Sequence, residues 1–95
     1  MDGGAAGRYP IEMPDPARPP DPVGTILRTY RLERGLTQEA VAARAGLDRN
    51  YVGMIERGER RPTVHTVTNI LRVLKISWRR MGDALAEALG EENIL

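Results

Sequence analysis

The chain has 95 residues, 41% of them apolar, with no Cys, no Phe, one Trp and a formal net charge of +1. That is enough for one small domain with an aliphatic core, and it excludes a disulfide framework or a thiolate metal site. The longest apolar runs fall far short of a membrane span, and the N-terminus lacks the apolar stretch of a signal peptide. These features point to the cytoplasm and to no membrane partner.

The charge is unevenly placed. Residues 1–21 and residues 76–95 each carry a net −2, while residues 22–75 carry +5. A basic middle between acidic ends implies an anionic partner that meets one region. Thirteen of the 14 cations are Arg, a side chain suited to bidentate bonding of phosphate and guanine. A GC-rich genome would produce the same bias, so the bias alone decides little.

In chain order, residues 1–21 hold five Pro and three Gly without sustained periodicity. Such a segment buries too little surface to offset its ordering entropy and reads as a disordered or polyproline-like tail. Tyr9, Ile11 and Met13 are its one hydrophobic cluster, either incidental or an arm for a partner protein. The folded domain is expected over residues 22–90, all-α with five helices and no strand.

Pro22 suits the first turn of a helix after Asp21. Val23, Leu27 and Tyr30 then follow i, i+4, i+7, an amphipathic first helix that Gly35 ends. Thr37 is the N-cap of a second helix with a narrow face of Val41, Ala42 and Ala45. Gly46 ends it, Leu47 fills the corner, and Asp48 caps a third helix whose inward face is Val52 and Ile55. Helix, short Gly turn and helix form the unit that lays its second helix in the major groove of DNA.

Gly58 ends that reading helix, and Arg60-Arg61-Pro62 makes a basic loop. Pro62-Thr63 starts a fourth helix striped by Val64, Val67, Ile70, Leu71 and Leu74. Ser77 caps a fifth helix striped by Trp78, Met81, Leu85 and Leu89. Trp78 and Met81 are expected to close the core.

Three segments carry a family resemblance: R-x-x-R-L-E-R-G-L-T-Q-E from Arg28 to Glu39, A-x-x-A-G-L from Ala42 to Leu47, and I-E-R-G-E-R-x-P from Ile55 to Pro62. They continue into V-x-x-V-x-x-I-L from Val64 to Leu71. Residues 23–81 thereby resemble the lambda-repressor-like, Cro-type helix-turn-helix regulators of bacteria and phages. The resemblance implies a five-helix domain in which Thr37–Ala45 is the positioning helix and Asp48–Arg57 the reading helix. It implies sequence-specific operator binding, usually as a dimer and usually for repression. It also implies an ion pair between Arg31 and Glu56, joining the first helix to the end of the reading helix. This chain departs from the family at Lys75, where Gly is common, and at Gly53 and Met54, where polar residues are common.

Candidate base contacts fall at the first turn of the reading helix. Arg49 suits guanine O6/N7 and Asn50 suits adenine N6/N7. Met54, one turn on, could touch a thymine methyl, and Gly53 reflects either close approach to DNA or close helix packing. Phosphate contacts are expected from Thr37 and Gln38, at the positive end of the positioning helix, and from Arg57, Arg60 and Arg61. Tyr51 either reaches a phosphate or packs.

The only His, His65, has no Cys and no obvious carboxylate partner, and no phosphate loop, metal-ligand spacing or nucleophile elbow occurs. No catalytic residue, metal or cofactor is therefore expected. Leu85 and Leu89 either form, with Trp78, a homodimer interface on the fifth helix or fold back on the first helix. The leading expectation is a transcriptional regulator of double-stranded DNA. The alternative is an antitoxin or protein-interaction module whose tail binds a partner protein.

Overall fold

A computed structural model describes residues 21–90, so the expectations for residues 1–20 lie outside the described part. Among the described residues five helices follow in order: α1 Pro22–Glu33, α2 Gln38–Ala45, α3 Arg49–Glu56, α4 Val64–Leu74 and α5 Trp78–Leu89. No strand occurs among the described residues.

Every helix starts on a side-chain cap. Asp21, Thr37, Asp48, Thr63 and Ser77 each accept a backbone N–H from two or three residues ahead, at 2.7–3.1 Å. These bonds satisfy donors that the first turn leaves open. The ends are as specific. Gly46, at φ 71°, turns α2 sharply into α3. After α3, Glu59 N donates to Met54 O at 2.8 Å and Gly58 N to Ile55 O at 3.0 Å. This pair of hydrogen bonds is the Schellman arrangement, and it requires the left-handed φ of 76° at Gly58.

Lys75 ends α4 in the same left-handed region, φ 59° and ψ 44°. Lys75 thus takes the backbone conformation that Gly commonly supplies at a helix end. The side chain at this conformation costs about 1–2 kcal/mol. Arg34, at the C-cap of α1, offsets part of that cost: its Nε donates to Leu74 O at 2.8 Å and its Nη2 to Lys75 O at 3.4 Å.

The core is aliphatic, as the composition requires. Leu27, Val41, Ile55, Val67, Ile70, Leu71, Leu74, Ile76 and Met81 are buried around Tyr30. Two apolar positions depart from their stripes. Val64 shares the spacing of Val67 and Leu71 but is 73% exposed, because it is the first residue of its helix and the covered part of the stripe begins at Val67. Trp78 does not close the core with Met81. Met81 is fully buried, whereas Trp78 is 41% exposed and lies on the surface of α4, its Nε1 donating to Thr68 Oγ1 at 2.8 Å.

Gly24 had no place in the hydrophobic pattern, yet it decides how α1 meets α3. A Cβ on Gly24 would stand 2.0 Å from Ile55 O, so only a residue without a side chain lets the two backbones approach this closely.

Candidate nucleic-acid interface

The α2–α3 unit is held from behind by one buried polar cluster. Arg31 Nε donates to Glu56 Oε2 at 2.6 Å and Nη2 to Glu56 Oε1 at 2.9 Å. The third guanidinium nitrogen, Nη1, donates to Leu36 O at 2.8 Å, ahead of α2. The two side chains retain 10% and 4% exposure, so the pair is almost dry. Its fork-to-fork geometry fixes angle as well as distance. One guanidinium thus ties α1 to the last turn of α3 and to the entry of α2.

Gln38 joins the same cluster. Its Nε2 donates to Glu56 Oε1 at 3.0 Å, so the side chain turns inward onto the carboxylate. The reason is chemical: an amide donor at the edge of a buried carboxylate finds a fixed acceptor there.

Gly53 is buried in mid-helix. A Cβ there would lie 3.0 Å from Arg57 Nη1 and 3.4 Å from Gln38 Oε1. The side chains of Gln38 and Arg57 converge over it.

The outward face of α3 begins with Arg49 and Asn50, both exposed. Arg49 Nη1 is 3.4 Å from Glu39 Oε2, in a pair whose side chains are 67% and 73% exposed. Tyr51 is half-buried and packs against the core, and Met54 is half-buried. At the far end Arg57 Nε donates to Glu59 Oε2 at 2.7 Å and Nη2 to Oε1 at 3.3 Å. The hydrogen bond to Arg57 holds the Glu59 carboxyl below its usual value, and the same bond raises the Arg57 guanidinium. Arg61 is exposed and Arg60 half-buried. Glu39 and Glu59 are therefore part of this face, although the residue types alone had drawn attention only to the cations. The Arg57-Gly58-Glu59 spacing was the available signal.

On α5, Leu85 is half-buried and packs against the core of its own chain. That placement matches the fold-back alternative and follows from α5 lying along α1. Leu89 and Trp78 stay 53% and 41% exposed. Among the described residues no cluster of His, Cys, Asp and Glu could hold a metal ion, and no helix is long and apolar enough to cross a membrane.

The HTH_3 helix-turn-helix family model matches residues 27–80. The chain is 44% identical over 55 residues to the uncharacterized HTH-type transcriptional regulator y4dJ of Sinorhizobium fredii, covering 58% of this chain and 71% of that protein. Among solved structures it resembles the restriction-modification controller protein C.AhdI from Aeromonas hydrophila, with 40% identity and a TM-score of 0.59, covering 61% of this chain and 88% of that one. It also resembles the controller protein C.Esp1396I, solved as a tetramer on its natural 35 base-pair operator, with 34% identity and a TM-score of 0.63, covering 70% and 90%.

Proposed function

This chain belongs to the HTH_3 helix-turn-helix family of transcriptional regulators, and from that premise we propose that it is an operator-binding regulator, acting as a homodimer and most simply as a repressor. The observation that carries this reading is the presentation of α3. Its last turn is pinned by the buried Arg31–Glu56 pair, while its first turn offers Arg49 and Asn50 to solvent. A rigid mount behind and open donors in front are what reading base edges in the major groove requires. Arg49 and Asn50 are proposed to contact bases, with Met54 beside them. Thr37, the N–H groups of Gln38 and Glu39, Arg57, Arg60 and Arg61 are proposed to meet phosphates, and Tyr51 to pack beneath them. The protein acts by occupying its site rather than by catalysis.

One reading helix spans too few base pairs to single out an operator, and pairing two copies doubles the site. Trp78 and Leu89, exposed on α5, supply the apolar surface for that pairing. The test is selection of bound duplexes from a randomised pool, with sedimentation of the protein alone and on the selected duplex. The expected product is a two-fold sequence whose half-sites lie about 34 Å apart. Arg49→Ala should flatten the preference at one base-pair position, and Arg61→Ala should weaken binding to all sequences alike. A pool that never enriches would reject DNA reading. Enrichment of a single half-site by a monomer would reject the dimer alone.

A further inference from the structure

Glu59 has a fixed place. The Schellman bond from its N–H to Met54 O, and the left-handed Gly58 before it, set its backbone against the end of α3. From there its two carboxylate oxygens meet Arg57 Nε and Nη2 at 2.7 and 3.3 Å. That is the two-pronged geometry a guanidinium would use on a phosphate. The pair is open to water, its side chains 57% and 45% exposed, so either partner can be exchanged. Arg57 Nη1 also lies over Gly53, within 3.0 Å of where a Cβ would be, so the latched guanidinium covers the middle of the reading helix.

We propose that Glu59 is a specificity-setting latch: in the free protein its carboxylate stands in for a DNA phosphate on Arg57, and only a complex in which a phosphate takes over that guanidinium escapes the penalty. The proposal rests on the reading that the α2–α3 face meets DNA. A duplex docked in the correct register offers Arg57 a phosphate and lets Glu59 return to water. A loosely docked duplex leaves the pair intact, so Arg57 adds no phosphate contact there. Glu59 thus acts through Arg57, weakening indiscriminate binding more than operator binding.

The experiment compares the full chain with Glu59→Gln, Arg57→Ala, the double variant and Glu33→Gln. Glu33 is an exposed carboxylate of α1, 3.6 Å from Arg80 of α5, and its loss changes the net charge equally. Binding is measured to a duplex of arbitrary sequence and to the selected duplex, over a salt series. Glu59→Gln should tighten binding to the arbitrary duplex roughly two- to fivefold, the range of an exposed ion pair. It should tighten binding to the selected duplex less, and steepen the salt slope on the arbitrary duplex by up to about 0.9, one added phosphate contact. In the Arg57→Ala background it should do nothing beyond what Glu33→Gln does. Equal gains from Glu59→Gln and Glu33→Gln, or a gain that survives loss of Arg57, would overturn the latch while leaving DNA reading intact. Absence of binding to either duplex by the unmodified protein would overturn both. Unchanged helicity in Glu59→Gln guards against an effect of unfolding.

Discussion

Glu56 and Arg57 are consecutive residues with opposite partners, and each belongs to a guanidinium–carboxylate pair in a different setting. Glu56 faces inward, where Arg31 and Gln38 give it three hydrogen bonds and its side chain keeps 4% exposure. Arg57 faces outward to Glu59 with more than half of its side chain in water. The chemistry is the same and the consequence differs. A buried pair cannot lose one member without stranding a charge, so it serves as a fixed mount. An exposed pair is screened by water and salt, contributes little and can trade one partner for another. The reading helix has a mount on one side and exchangeable cations on the other because its last turn divides them.

Arg31→Ala tests the mount most severely. It should lower stability by about 3–5 kcal/mol, read from the urea midpoint. Removing Arg31 and Glu56 together should cost less than removing Arg31 alone, and a double variant as unstable as the sum of the singles would break the contrast. Gly24→Ala comes next, because the added methyl meets the Ile55 carbonyl at 2.0 Å and backbone yields less readily than a side-chain tip. A loss of about 1–3 kcal/mol is expected, with amide shifts concentrated in α3. Arg34→Ala, which removes bonds to the final carbonyls of α4 at a partly buried site, should cost about 1 kcal/mol in thermal unfolding. Glu39→Gln, which unpairs the exposed Arg49, should change stability by less than about 0.5 kcal/mol. A larger loss there would mean that exposure does not separate the two kinds of pair.

Much of this was legible in the residues. The five helices and the caps at Thr37, Asp48 and Ser77 announce themselves, because each is a local pattern of side chains. The Arg31–Glu56 pair joins residues 25 apart in sequence, and it was reached only through resemblance. Gly24 was illegible for a different reason: hydrophobic periodicity records side chains that are present, and its role depends on one that is absent. Gln38 marks where residue type stops informing: an amide bonds a phosphate and a carboxylate equally well, so type alone cannot choose between facing out and facing in. Trp78, expected beside Met81 in the core, lies on the surface, while Leu85 packs on the core. Helical spacing puts both on one stripe, and only the way α5 lies along α1 determines which of them the core takes.

Trp78 is the sole Trp of the chain, and its half-open position makes it a built-in optical reporter. An indole that is 41% exposed emits toward the red and is reached by dissolved quenchers. Covering by a second copy would shift its emission to shorter wavelengths and shield it, whereas unfolding would shift it the other way. A dilution series followed by fluorescence and by far-ultraviolet dichroism together should therefore separate pairing from folding without any attached dye. A blue shift that grows with concentration while helicity stays constant is the signature expected of two-fold pairing through α5.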